Sequence, residues 1–272
     1  MQCAPLIAAL FVLVSPAWAG ETPWQEVAPG VKLRLISTGE VRADGSAMLG
    51  LEIDMPATTK TYWRVPGDTG LPTKLDWTGS VGITGGQIHW PYPSRSETAD
   101  YLDYVYFGPT VLPIEVSVDG AEPVVELSAL LGICSDICMP AQARFTLPLQ
   151  LDAPDRANGL RIRQALADIP VPWDGSGEPI SGVQLGADGE SLDVRIADPA
   201  VEPDSLIAAT ASGEPLFGSP QSGAEPGLVL VPVRGEDGAA DLHNETIELT
   251  FMTSRGPYVV VRTVEGPQTP KD

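Results

Sequence analysis

Apolar and polar residues alternate in short runs along most of this chain, and the runs are cut by Gly, Pro and Asp. Phe145, Leu147, Leu149 and Leu151 share one parity, with Thr146, Pro148 and Gln150 between them. Successive strand residues point to opposite faces of a sheet, so this alternation predicts a half-buried strand over 143–151. Residues 31–36, 47–55, 60–65, 111–118 and 124–131 are read as strands too. The first two are joined through Asp44-Gly45, a strong turn signal. Between 66 and 93 the chain is rich in Pro and Gly and holds Trp77, His89, Trp90 and Tyr92. A dense aromatic cluster fills 101–107.

The period changes after residue 154. Leu160, Ala165, Leu166 and Ile169 recur near helical spacing, Asp155 is placed to cap, and Pro170 and Pro172 end the run. Strand signals return over 182–197 (around a turn at 186–189), 206–211, 228–233 and 246–264, the last folding back near 254–257. Many short strands at regular spacing predict an all-β protein of two β-sandwiches joined by a short helix. The expected boundaries are 21–153 for the first sandwich, 154–172 for the linker with its helix, and 173–266 for the smaller second sandwich. The Pro-rich tail 267–272 is expected to be disordered.

The amino terminus reads differently. An apolar run ends in Ala17-Trp18-Ala19, a small-x-small cleavage pattern before Gly20. Residues 1–20 are therefore assigned to a secretory signal peptide, too short for a membrane span. No later stretch is long and apolar enough to span a bilayer, so a soluble, exported, periplasmic protein without stable membrane insertion is expected. Of three cysteines, Cys3 leaves with the signal, and Cys134 and Cys138 remain in a disulfide-permissive compartment. The formal net charge of −20, from 36 acidic and 16 basic residues, argues against nucleic acid and anionic membrane surfaces as partners.

The two remaining cysteines lie in Gly132-Ile133-Cys134-Ser135-Asp136-Ile137-Cys138-Met139-Pro140. In a continuous strand, residues four apart would be about 13 Å apart, at about 3.3 Å per residue. A disulfide needs Cα atoms within about 7 Å. The chain must therefore turn between them. A loop of Ser135, Asp136 and Ile137 would set the cysteines opposite each other across an antiparallel pair. Opposed Cα atoms there lie about 4.5–5.5 Å apart. A loop this short yields roughly 2 kcal/mol of chain-entropy stabilisation. A tip-located pair therefore suits reversible redox chemistry better than stapling. A local structural clip is the competing reading.

Asp136 lies between the cysteines, where a carboxylate disfavours a thiolate by like-charge repulsion. With no basic residue nearby in sequence until Arg144, weak intrinsic nucleophilicity is expected. Asp136 also suits a plain turn. Cys134, Cys138, Met139 and His89 form a soft-ligand alternative suited to Cu(I). With His89 and His243 as the only histidines, His-dependent hydrolysis is excluded as a working reading. No bound cofactor is expected.

The first sandwich resembles the periplasmic amino-terminal domain of the DsbD thiol:disulfide interchange proteins, in the form found in the ScsB-like group. The resemblance rests on Tyr62-Trp63-Arg64, Pro66-Gly67-Asp68, Gly70-Leu71-Pro72, Asp76-Trp77, Trp90-Pro91 with Pro93, Leu112-Pro113, and Gly132, Cys134, Ile137-Cys138 and Pro140-Ala141. It implies immunoglobulin-like sandwiches and a cysteine pair that shuttles electrons. In that reading Cys138 attacks or receives the mixed disulfide and Cys134 resolves it. Tyr104, Tyr106 and Phe107 match the aromatics that cap the pair. The implied partners are a membrane-embedded electron donor of the DsbD or CcdA type and periplasmic thioredoxin-fold acceptors, including disulfide isomerases and cytochrome c maturation proteins. DsbD-type domains space their cysteines more widely; the three-residue gap is that of the ScsB-like group. With no membrane or thioredoxin-like portion before Asp272, donor and acceptor are expected to be separate proteins, and the chain a monomer. A two-sandwich adaptor with a structural disulfide remains the alternative from a different class.

Overall fold

The structure, a computed structural model, describes residues 20–150, 153–187, 189–234 and 242–266. The expected signal peptide up to residue 19, Leu151, Asp188 and the tail 267–272 lie outside the described residues.

The chain opens as an antiparallel meander of β1 (Gln25–Ala28), β2 (Val31–Val41) and β3 (Ser46–Asp54). β4 (Lys60–Gly67) follows. The Pro/Gly-rich stretch then yields β5 (Lys74–Asp76) and β6 (Ile83–Ile88), and β7 (Ser94–Glu97) comes just after it. None of these three was visible as an alternating run. β8 (Leu102–Phe107), β9 (Thr110–Val118), β10 (Val124–Cys134) and β11 (Cys138–Pro148) complete the first unit.

These strands make two sheets. One has the order β1-β2-β3-β9-β6, and the other β11-β10-β4-β8-β7 with β5 added on β10. Alternate residues of both sheets interdigitate, with Leu49, Leu51 and Ile114 from one facing Trp63, Leu127 and Phe145 from the other. Each such fully buried side chain contributes about 1.5–3 kcal/mol. This is a β-sandwich with its main core between the two sheets.

Helix α1 (Arg156–Ala167) takes Asp155 as its N-cap, the carboxylate accepting from the Asn158 backbone N–H at 3.0 Å. Ile162 packs on Ile36 and Met48, on the outer face of the first sheet. The missing side chain of Gly50 permits that approach: a Cβ there would come within 3.1 Å of Ile162.

Beyond the helix come β12 (Val171–Pro172), β13 (Ile180–Leu185), β14 (Ser191–Ile196), β15 (Ile207–Ala209), β16 (Leu216–Phe217), β17 (Gln221–Ser222), β18 (Leu228–Arg234), β19 (Thr246–Thr253) and β20 (Gly256–Thr263). They pair as β12-β20-β19-β15 and β13-β14-β18-β16, with β17 on β18. Their core gathers Val194, Phe217, Val231, Leu249 and Phe251. The protein is thus all-β, two immunoglobulin-like sandwiches joined by a short helix. No helix among the described residues is long and apolar enough to cross a membrane.

The two sandwiches are in direct contact. Ile207 and Ala209 of β15 are buried in the first core, not the second. Arg95 donates to the carbonyls of Asp204 at 3.1 Å and Leu206 at 2.8 Å. Tyr92 donates to the Ser205 carbonyl, and Arg64 pairs with Glu248.

Candidate functional site

The long β10–β11 hairpin carries the cysteines at its tip. Its ladder runs without a slip from Val124↔Pro148 to Cys134↔Cys138. The cysteines are bonded, with Cα atoms 4.0 Å apart, and Ser135, Asp136 and Ile137 form the loop. On β10, Val125, Leu127, Ala129, Leu131 and Ile133 enter the core. Cys134 has the opposite parity, so the disulfide stands on the outer face of its sheet. Its two halves differ: Cys134 is 6% exposed, whereas Cys138 is open to solvent.

What buries Cys134 is Tyr62, together with Val105. Tyr62 is on β4, next to β10 in the sheet, and its hydroxyl donates to Cys138 Sγ at 3.5 Å. Its ring fits only because two glycines flank it. A Cβ on Gly132 would lie 2.8 Å from the ring, and one on Gly70 would lie 2.4 Å from it. Burial pushes the Tyr62 phenol above its ordinary pKa, against the lowering effect of its hydrogen bond with Thr69, so at neutral pH it is a protonated donor.

Lys60 pairs with Cys134 across β4 and β10. Its ammonium is buried against Asp103 at 2.9 Å and lies 4.8 Å from the centre of the Tyr101 ring. Asp103 is fully buried and also accepts from the Thr69 backbone N–H at 3.0 Å and the Thr69 hydroxyl at 2.6 Å. All of the donors to this buried carboxylate are thus supplied by its own neighbourhood. The loop that leaves β4 at Gly67 is tied down by these bonds and runs across the Tyr62 ring.

The expected aromatic cap is rearranged. Tyr104 and Tyr106 have core parity on β8 and belong to the interior. Tyr106 donates to the Pro91 carbonyl at 2.7 Å, and Tyr104 to the Phe217 carbonyl of the second sandwich at 3.1 Å. Burial raises both phenols above their ordinary range. They face away from the disulfide because adjacent strand positions alternate. Phe107 has the outward parity, opposite Lys60, and is 46% exposed. Tyr62 covers Cys134 instead.

Two other expectations change. The nearest basic residue is Lys60, not Arg144, but Asp103 offsets its charge. Met139 alternates to the face opposite Cys138, and His89 sits by Glu115 at 3.7 Å on the other sheet. The soft ligands therefore do not converge. Among the described residues no group of three or more His, Cys, Asp or Glu is placed to hold a metal ion. Asp136 is exposed at the loop tip.

The fold is that of an all-β, immunoglobulin-like protein, and its similarities to known proteins support a thiol:disulfide interchange-related domain. Residues 33–150 match the family described as thiol:disulfide interchange protein DsbD, N-terminal. The N-terminal periplasmic domain of ScsB from Proteus mirabilis superposes with a TM-score of 0.71 at 22% identity, over 91% of this chain and 99% of that one. That likeness establishes the fold across both sandwiches. The adhesin domain of Epf from Streptococcus pyogenes aligns over 89% of this chain and 79% of that one, with a TM-score of 0.25 at 7% identity. A comparison with curated protein sequences finds no match.

Proposed function

We propose that the Cys134–Cys138 pair is a redox relay, taking two electrons from a dithiol donor and passing them to a disulfide acceptor. The observation that carries this reading is the asymmetry of the disulfide, with Cys138 open and Cys134 covered, inside the segment matched to the DsbD family. A donor thiolate attacks Cys138 Sγ in line with the bond. The Cys134–Cys138 bond breaks, the donor–Cys138 disulfide forms, and the electron pair leaves on Cys134 Sγ, which takes a proton. The donor's second thiolate then attacks its own mixed-disulfide sulfur and releases the Cys138 thiolate. The donor is now oxidised and the pair reduced. Passing electrons on reverses the roles: Cys138 attacks the acceptor disulfide, and Cys134 resolves the intermediate. The Tyr62 hydroxyl supports this chemistry, because a donor to Cys138 stabilises its thiolate.

The partners in this reading are a separate membrane-embedded donor of the DsbD or CcdA type and thioredoxin-fold acceptors, among them isomerases and cytochrome c maturation proteins. The setting is the periplasm, reached through the signal peptide, and the protein acts as a monomer without cofactor. Support comes from the family match and from the likeness to the N-terminal periplasmic domain of ScsB.

The deciding experiment is the reduction potential of the pair, measured by equilibration with glutathione or dithiothreitol and read as a mass shift after alkylation. A value of about −270 to −180 mV, the range from thioredoxin to the isomerases, is expected of a relay. A value below about −300 mV is that of a structural disulfide and would establish the adaptor reading instead.

A further inference from the structure

The loop over Tyr62 is held from both ends. At the disulfide end, the Leu71 carbonyl accepts from the Gly132 backbone N–H at 3.2 Å, two residues from Cys134. In the middle, Thr69 is bonded twice to buried Asp103. At the far end is Asp68. Its backbone N–H donates to the Leu102 carbonyl at 3.0 Å, and its carboxylate accepts from the Leu102 N–H at 2.8 Å. The same carboxylate oxygen pairs at 3.1 Å with Arg234, the last residue of β18 in the second sandwich. Gly70 lies between these anchors, its backbone against the Tyr62 ring.

We propose that Arg234 is a positioning residue through which the second sandwich latches the 68–71 loop, and so sets how readily thiols reach the disulfide. The chain of contacts is continuous: Arg234 to Asp68, along the loop to Gly70, from Gly70 to the Tyr62 ring, and from the Tyr62 hydroxyl to Cys138 Sγ. Releasing Asp68 frees the loop at the end that the first sandwich alone holds by two hydrogen bonds. Tyr62 can then swing from between Gly70 and Gly132 and uncover Cys134. Arg234 and Asp68 keep about a third of their side chains exposed, 33% and 30%, so the pair is weak enough to serve as an adjustable latch.

The inference rests on the relay reading for its purpose, but its test is separate. The potential is an equilibrium property, and the latch is read as a ratio of rates, so either can fail alone. The oxidised protein is mixed with cysteamine, whose attacking form, an ammonium thiolate, carries no net charge. Two cysteamine thiols become cystamine as the pair takes two electrons, and the loss of the disulfide is followed by alkylation and mass. Arg234→Gln is expected to react about two- to fivefold faster than wild type, the range set by a partly exposed ion pair. Arg234→Lys should return the rate to within about twofold of wild type. Arg255→Gln, which removes the exposed ion pair with Asp174 elsewhere in the second sandwich, should leave it unchanged. Equal rates for Arg234→Gln and wild type would overturn the proposal, as would an equal gain from Arg255→Gln. Should Arg234→Gln lose its cooperative melt, wild type alone decides. Raising salt from about 0.02 to 0.5 M screens the pair and should speed reduction, whereas a flat rate would overturn the latch.

Discussion

The hydroxyl of Tyr62 lies 3.5 Å from the sulfur of Cys138, although 76 residues separate them in the chain. The contact exists because β4 and β10 are neighbours in one sheet. A hydrogen bond to a charged acceptor is worth about 1.5–3 kcal/mol, and a sulfur acceptor at this distance falls at the low end. Tyr62→Phe should therefore raise the Cys138 thiol pKa by about one unit, read from thiolate absorbance near 240 nm in the reduced protein. An unchanged titration would show that the hydroxyl does not serve the thiolate.

Gly132→Ala tests the ring's seat. The new methyl would come within 2.8 Å of the Tyr62 ring and 3.0 Å of the Leu71 carbonyl oxygen. Overpacking of this kind costs about 1–3 kcal/mol. Urea denaturation of the oxidised protein should show that loss. Cysteamine should also reduce the variant faster than wild type, since a displaced ring no longer shields Cys134. A destabilised variant with unaltered reactivity would separate the seat from the shield.

Lys60 and Asp103 should be unequal under single and double replacement. Asp103→Leu leaves a buried ammonium unpaired and should cost about 3–5 kcal/mol, whereas Lys60→Met with Asp103→Leu removes both charges and should recover much of that loss. Equilibrium unfolding of the three proteins measures it. A double variant that costs as much as the two single variants added together would mean the pair contributes no coupling.

Alkaline pH should weaken the contact between the sandwiches. Burial pushes the Tyr92 phenol up to about 12, and its hydroxyl donates to the Ser205 carbonyl. An unfolded tyrosine ionises near 10. Between those values the unfolded chain has released a proton that the folded chain retains, so stability falls as pH rises. The pair of states is fully in favour of folding below pH 10. Tyr92→Phe should remove up to about 2 kcal/mol of the loss between pH 10 and 12, at about 1.4 kcal/mol per unit. Denaturant unfolding at pH 8, 10 and 11.5 checks this, and parallel curves for the two proteins would contradict it.

Much of the fold was legible where the signal was local. The parity of Phe145 and Leu147 marked the second half of β11, which begins at Cys138 and ends at Pro148 rather than spanning 143–151, and the Cys134–Cys138 spacing required the turn that the structure contains. Asp155 and the apolar spacing after it gave the helix to within two residues at its end. Strand β5 stayed hidden because it is only three residues long, and β6 because Gly85 and Gly86 interrupt its pattern. Gly86 is there so that Trp77 can pack on it, 2.4 Å from where a Cβ would be. Around the cysteines, the chain could not announce Tyr62 or Lys60, which arrive through a non-sequential strand order. The aromatic cap was a different matter. Tyr106 and Phe107 are consecutive in a strand and cannot share a face, so alternation alone ruled out all three of Tyr104, Tyr106 and Phe107 as one cover.

The unbroken β10–β11 ladder holds the two cysteines opposite each other before the chain ever reaches the loop. Residues 135–137 therefore do not set the geometry of the bond they enclose. Their side chains can be exchanged while the ladder keeps the sulfurs in register. Ile137, 75% exposed at that tip, belongs to a segment free to diversify. Change at that tip alters what the surface beside Cys138 presents, while the strands behind it keep the bond in place.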